Sequence, residues 1–358
     1  MKDLQQQIDT FSALGDFIDQ FLTGTRSDGE LLGKVNDRHY DEFGRLIKEV
    51  CYHNPWFTKE FVLEALRGIR LMLKRENLEL WVSGYPELKT KKTSPGNIGI
   101  VMAGNIPLVG FHDLLSVLIS GNRVIGKPAS KDAHLIKAIA DILITIRPEL
   151  KERITLMEDR LTGIDAIIAT GSNNTSRYFN YYFRNIPRII RKNRNSIALL
   201  TGSETDAQIA DLGRDIFTFF GLGCRNVTKL YLPENFDLTR IMRIYESYGY
   251  LYDHNKYGNN VNYYRTVYLM NQVHFLDNGS MLLTENPGFS SPVGVVYFEK
   301  YSDIENVKRT IEENRDLLQC IVSMEPVTAD TLFPGNTQMP LPWDYADGVD
   351  TLKFLTEI

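Results

Sequence analysis

Between Phe219 and Pro233 the chain reads FFGLGCRNVTKLYLP, with one cysteine set between a glycine and an arginine. A thiolate in such a position can attack an acyl carbonyl and hold the acyl group as a thioester, provided its pKa falls below the ordinary value of about 8.5. Arg225, the loop amides and nearby helix termini are the groups that could lower it. The same Cys224 can equally be a structural thiol at a helix end, and spacing within this stretch does not separate the two readings. The other cysteines read more simply. Cys51 follows Leu46, Ile47 and Val50 as a packed helix residue, and Cys320 in LLQCIVS is a core residue by its apolar neighbours. The three are far apart and follow no metal spacing, so neither a disulfide framework nor a structural zinc site is expected.

Two further sets of residues could carry chemistry. Arg177, Arg184, Arg188, Arg191, Lys192 and Arg194 are interleaved with Tyr178, Phe179, Tyr181, Tyr182 and Phe183. A solvated helix face is the default for such a cluster, and a docking surface for phosphates or an acidic partner is the functional alternative. His112 reads as a packed or partly exposed helix residue, whereas His254 and His274 lie in tyrosine- and asparagine-rich stretches and could line a channel.

The elements that must position these residues follow from apolar period. Residues 1 to about 90 carry helical spacing, as in Leu4, Ile8, Phe11, Leu14, Ile18 and Phe21. From Asn97 the pattern becomes short β-branched runs alternating with helices: NIGIVMA, LVGFHDLLSVLIS, GNRVIGKPAS, KDAHLIKAIADILITI, ERITLME and DAIIATGS. That alternation predicts a parallel, doubly wound α/β sheet, which binds nucleotides at the carboxyl ends of its strands. A second unit is predicted from Glu204, with a helix over TDAQIADLGRDIFTFFG, strands at VTKLYLP, RTVYLM and PVGVVYFE, and a polar-faced helix at DIENVKRTIEENRD. The expected division is 1–203 for the helical region and the dinucleotide-binding domain, 204–330 for the catalytic domain, and 331–358 for a segment closing a domain edge.

Bulk properties set outer limits. The 358 residues suffice for two domains with sizeable cores, and the formal charge of -5 argues against nucleic-acid binding by broad phosphate neutralisation. No run approaches the roughly 18 to 20 apolar residues of a membrane span, and the start MKDLQQQIDTF has no basic and apolar leader pattern. A cytoplasmic location is therefore expected.

The order of motifs resembles the aldehyde dehydrogenase superfamily. VMAGNIP is similar to that family's strand and turn ending in asparagine, SGNRVIGKPAS to its Gly-Asn turn, strand and Lys-Pro, ATGSNNTSRYF to its Thr-Gly-Ser turn, GLGC to its cysteine motif, and TENPGFSSPVGVVYFE to its later glutamate-containing strand entry. Two features depart from it: the chain is shorter than typical members, and the glutamate usual 30 to 35 residues before the cysteine is missing. No Asp or Glu occurs from Arg177 to Ser203. With the helical N-terminal region and the DYADGVDTLKFL ending, the pattern is most similar to the acyl-CoA reductase (fatty-acyl reductase, LuxC) branch.

The resemblance implies an aldehyde dehydrogenase-like fold, with a Rossmann-type dinucleotide-binding domain and an α/β catalytic domain carrying the cysteine. It implies that Cys224 is the nucleophile and that the Asn105 amide and the Cys224 backbone N–H form an oxyanion hole, although Gly104-Asn105 is also an ordinary turn pair. Lys127, Ser130, Gly171 and Ser172 would bind the dinucleotide, and Glu285 would contact the nicotinamide ribose. Where relatives often place a glutamate that repels a 2'-phosphate, this chain has Ser130, which favours NADPH while leaving NADH usable; Ser130 could also cap the helix starting near Lys131. Without the water-activating glutamate, reduction of an acyl-CoA or acyl-protein thioester to an aldehyde is expected, unless another carboxylate such as Glu204 takes its place. A short-chain CoA-acylating aldehyde dehydrogenase using NAD and a catalytically silent binding protein are the alternatives. The resemblance also implies a homo-oligomer and allows an acyl-activating synthetase partner; no nucleic acid and no metal are expected.

Overall fold

A computed structural model describes residues 2–90 and 94–358. Two compact units divide them: residues 1–192 with 339–358, and residues 193–338.

The first unit opens with four helices, α1 (Lys2–Thr23), α2 (Glu30–Glu49), α3 (Lys59–Met72) and α4 (Arg75–Ser83). Their apolar faces supply Phe11, Leu14, Phe17, Phe43, Leu66 and Trp81, all buried, to the core of this unit. Strands and helices then alternate: β1 (Asn97–Val101), α5 (Phe111–Ile119), β2 (Arg123–Lys127), α6 (Ala133–Ile146), β3 (Ile154–Leu156), β4 (Ala166–Thr170), α7 (Asn173–Tyr182) and β5 (Arg188–Arg191). The strands form one parallel sheet in the order β3-β2-β1-β4-β5. Helices α5 and α6, with α1 and α2 packed on them, bury Leu114, Leu118, Ile139 and Leu143. Phe179 of α7 and Phe183 just beyond it pack with Val101, Ile125, Ile167 and Ala169 in a separate cluster. Strand order reverses between β1 and β4, and such a switch point opens a crevice at the carboxyl ends of the strands.

The second unit contains β6 (Asn195–Leu199), α8 (Asp206–Phe217), β7 (Val227–Pro233), α9 (Leu238–Ile244), α10 (Asn255–Met270), β8 (Phe275–Asp277), β9 (Leu282–Glu285), β10 (Val295–Tyr301), α11 (Ile304–Glu313) and β11 (Leu318–Val322). Its sheet has the order β11-β6-β7-β10-β9-β8, parallel except for the β8–β9 pair. A last helix, α12 (Thr351–Thr356), returns to the first unit, where Leu352 and Leu355 are fully buried.

Several sequence expectations need correction. The chain divides after Lys192 rather than after Ser203, because β6 pairs with β7 and β11 in the second sheet. The expected closing segment 331–358 is split: Leu332 bridges to Val322 in the second unit, and only 339–358 belongs with the first. RTVYLM is not a strand but the last part of α10, which runs unbroken from its cap at His254, leaving Leu269 and Met270 on the surface. The basic cluster is not one helix face. Arg177 lies on α7, while Arg188 and Arg191 bound the edge strand β5, whose Ile189 is buried.

Candidate active site

In the first unit, residues from three strand ends meet the switch point. Asn105 is exposed in the turn after β1, Lys127 is the half-buried last residue of β2, and Gly171 and Ser172 follow β4. Ser172 caps α7, its Oγ accepting from the Thr175 amide at 3.2 Å. Gly171 packs tightly against α7, since a Cβ there would lie 3.0 Å from Thr175 Cβ and 3.1 Å from the Phe179 ring. Ser130 is exposed and does not cap α6. Asp132 occupies the cap position instead, and its carboxylate turns away to the Leu108 amide.

In the second unit, Cys224 is exposed between a buried Gly223 and a half-buried Arg225. The chain reaches it through a left-handed turn in which Phe219, Phe220 and Gly221 have φ of 55°, 57° and 73°. Such a conformation costs about 1–2 kcal/mol for each non-glycine residue and persists only where its surroundings over-determine it. Here Asn226, fully buried, supplies the constraint. Its Oδ1 accepts from the Gly223 amide at 2.8 Å, and its Nδ2 donates to the carbonyls of Thr218 at 2.8 Å and Asp215 at 3.0 Å. Phe220 packs against His254 and Tyr257, with ring centroids 4.4 and 5.6 Å away. From the far side, Ser196 Oγ donates to the Cys224 carbonyl at 2.9 Å and accepts from the Cys320 amide at 3.0 Å.

Arg225, named as a group that could lower the thiol pKa, is held elsewhere: its Nε donates to the Thr337 carbonyl at 2.5 Å. Thr337 in turn donates through its amide and hydroxyl to Asp215, whose carboxyl burial pushes up to about 6 against the pull of those donors. Asn226, Ser196 and Thr337 thus brace the loop around an exposed cysteine. Phe220 and Gly221 of the same turn, with Val227, Thr228, Tyr257 and Ser291, line a small crevice of mixed polarity.

The carboxylates can now be placed. Glu204 does not take the position of the missing glutamate. It lies beyond the carboxyl end of β6, where the Thr201 amide at 2.7 Å, the Gly202 amide at 2.9 Å and the Thr201 hydroxyl bind it. Cys224 is tied to Ser196 near the opposite end of β6, roughly 13 Å away along a strand of this length. In the sequence window where relatives carry the glutamate stands Arg191, buried and paired with Asp113 at 2.7 Å within the first unit. Glu285 is exposed at the end of β9, level with Phe298 of β10 and, through it, Leu230 of β7.

The remaining candidates are structural in part. His254 caps α10, its Nδ1 accepting from the Tyr257 amide at 3.4 Å, while His274 is exposed. Half-buried beside Trp81 and Tyr345, His112 donates from Nε2 to the Pro342 carbonyl at 2.8 Å, and desolvation lowers its pKa. Cys320 is buried as expected and Cys51 is half-buried at the end of α2. Asn226 and Asp132 escaped the sequence reading, since a lone Asn or Asp beside a turn signals exposure as readily as a buried network. Among the described residues no group of His, Cys, Asp or Glu is arranged to hold a metal ion, and no helix is long and apolar enough to cross a membrane.

A Rossmann-type sheet and a second α/β unit with a cysteine before a central strand define an aldehyde dehydrogenase-like fold, and solved structures bear this out. An acetylating aldehyde dehydrogenase from Geobacillus thermoglucosidasius is similar with a TM-score of 0.60 at 10% identity, over 94% of this chain and 83% of that one. The aldehyde dehydrogenase of Mycobacterium tuberculosis, complexed with NAD+, gives 0.59 at 12% identity over 88% and 73%. A mutant of aldehyde dehydrogenase C from Pseudomonas syringae, complexed with NAD+ and octanal, gives 0.57 at 10% over 90% and 75%. No curated protein sequence matches the chain. The profile described as "Acyl-CoA reductase (LuxC)" matches residues 59–237, half of the sequence, and the chain belongs to that family.

Proposed function

We propose that the protein reduces acyl-CoA or an acyl-protein thioester to an aldehyde through an acyl group held on Cys224, with NADPH as reductant. The observation that carries this reading is the exposed Cys224 on a loop held from below by Asn226 and Ser196. A structural thiol would be buried with its neighbours; this one is presented. Attack of the thiolate on the donor carbonyl forms the cysteinyl thioester and releases the donor thiol. NADPH, when bound, supplies the hydride that converts the thioester to a thiohemiacetal, whose collapse frees the aldehyde and the thiol. The Cys224 amide and the Asn105 side chain are assigned to the oxyanion, Lys127, Ser130, Gly171 and Ser172 to the adenosine and phosphate side of the dinucleotide, and Glu285 to the nicotinamide ribose.

Two features favour reduction over hydrolysis. The window 30 to 35 residues before Cys224 holds no carboxylate, and Glu204 is committed to the turn at the other end of β6. An acyl group on Cys224 then waits for hydride. The donor's phosphates or an acidic carrier would suit the exposed surface of α7, where Tyr178, Tyr181 and Tyr182 are open to solvent and Arg184 lies 5.0 Å over the Tyr181 ring. The reading extends to a cytoplasmic homo-oligomer that can receive acyl groups from a synthetase.

Mass spectrometry of the intact protein with a series of acyl-CoAs tests the core of this reading. A mass increase equal to one acyl group should appear without reductant and disappear when NADPH is added. Failure to gain an acyl mass with any chain length would defeat it. For the cofactor, Ser130→Glu places a carboxylate beside a 2'-phosphate, and like charges about 4 Å apart at a protein surface repel by about 1–4 kcal/mol. The ratio of kcat/KM for NADPH over NADH should fall at least about fivefold; an unchanged ratio would remove Ser130 from the cofactor site.

A further inference from the structure

The turn carrying Asn105 is fastened, point by point, to the loop that follows β2. The Met102 amide donates to the Lys127 carbonyl at 3.0 Å. Two residues on, Gly104 lies so near Ala129 that a Cβ on the glycine would sit 2.6 Å from the alanine Cβ. Beyond Asn105, the Leu108 amide donates to both oxygens of Asp132 at 3.1 and 3.3 Å. Asn105, Ile106 and Pro107 span the gap between the last two fastenings.

The third fastening is the unusual one. Asp132 occupies a helix N-cap position, where an aspartate ordinarily accepts from the first turn of its own helix and stabilises it by about 1 kcal/mol, yet it makes no such bond. Its side chain is instead buried, 3% exposed, against Leu108. Leu108 in turn holds φ at 57°, a left-handed conformation that leucine rarely adopts. A cap is forgone and a strained leucine is tolerated, both for one contact between two loops. Strain of this kind persists where surrounding structure enforces it and clusters at functional sites.

We propose that Asp132 is a positioning residue that seats the Asn105 turn on the Lys127–Ser130 loop, so that the oxyanion donor is set by the same loop that receives the adenosine end of the cofactor. The proposal rests on the functional reading above. Asp132 touches neither acyl group nor thiol; it acts through the Leu108 amide. Burial pushes its carboxyl up to about 8, so the group is largely neutral at pH 7 and an uncharged amide oxygen is its natural substitute.

Acyl-adduct formation, followed by rapid-quench mass spectrometry at saturating acyl-CoA, tests this on the full chain. In Asp132→Ala the acylation rate should fall about 10- to 100-fold, the size expected when a catalytic group is displaced by about 1 Å, while the half-saturating acyl-CoA concentration changes less than about threefold. Asp132→Asn keeps an oxygen for the Leu108 amide and should return to within about threefold of wild type. Gly104→Ala, which forces the turn off Ala129, should reproduce the loss with Asp132 intact. Wild-type acylation in folded Asp132→Ala or Gly104→Ala, or an Asn variant as slow as the Ala variant, would overturn the proposal. A wild type that takes up no acyl group would defeat the functional reading and this proposal together, which distinguishes the two failures.

Discussion

Cys224→Ala is expected to eliminate acyl transfer while leaving dinucleotide binding nearly intact. The sulfur is the only group assigned to form the covalent bond, and a methyl group has no lone pair to donate. Backbone geometry should survive the change, since Gly223 remains bonded to Asn226 and the Cys224 carbonyl to Ser196. The side chain is exposed, so its loss opens no cavity and should alter stability by less than about 0.5 kcal/mol. Incubation with acyl-CoA should therefore give no mass increase, and NADPH oxidation should stop. A thermal shift on adding NADPH should persist. Acyl labelling of the alanine variant as strong as that of wild type would mean that another residue carries the acyl group.

The next largest effect is expected from Asn226→Ala, although this side chain touches no substrate. Removing the amide strands the Gly223 N–H and the carbonyls of Thr218 and Asp215 in a buried place, each at a cost of about 1–3 kcal/mol. Phe219 and Phe220 would lose the bond that holds the start of their left-handed turn and should relax toward ordinary backbone. Cys224 lies directly after that turn, so its sulfur would shift. Urea denaturation should show a loss of about 3 kcal/mol or more, and the surviving folded protein should acylate about a hundredfold more slowly. Asn226→Asp offers an instructive contrast with the amide substitution proposed for Asp132. A carboxylate keeps an acceptor for Gly223 but sets an oxygen against the two carbonyls, so it should rescue neither stability nor rate. Near-normal acylation in folded Asn226→Ala would show that the loop is held without this residue.

The fold was legible where small residues punctuate β-branched runs. NIGIV, RVIGK and AIIAT each end near glycine, proline or asparagine, and each is a strand of the first sheet. Those same punctuating residues brought Asn105, Lys127 and Gly171 to strand ends, which is why their order carried information. Strand β5 was hidden because its two isoleucines lie between arginines and follow a tyrosine-rich helix, so the local pattern reads as polar. β6 was assigned to the wrong unit because nothing in SIALL says which sheet it will join; that is decided by pairing with β7 and β11. RTVYLM erred the other way, its β-branched and aromatic residues being carried by a helix already capped at His254. The site divides along similar lines. Cys224 has a local motif around it, whereas Asp132 and Asn226 matter through bonds to Leu108, Thr218 and Asp215 that only the folded chain creates.

The return of α12 to the first unit has a consequence for biogenesis. Residues 193–338 are threaded between two pieces of one core, so they leave the ribosome before that core can be finished. The buried slots for Leu352 and Leu355, the Asn122 amide that donates to the Leu355 carbonyl and the Arg191 guanidinium that donates to Thr351 must all wait for the closing helix. During synthesis the inserted unit can mature first, while its host remains an open intermediate with apolar surface exposed. The first unit is thus begun first and closed last, becoming whole only after the cysteine loop has already been made.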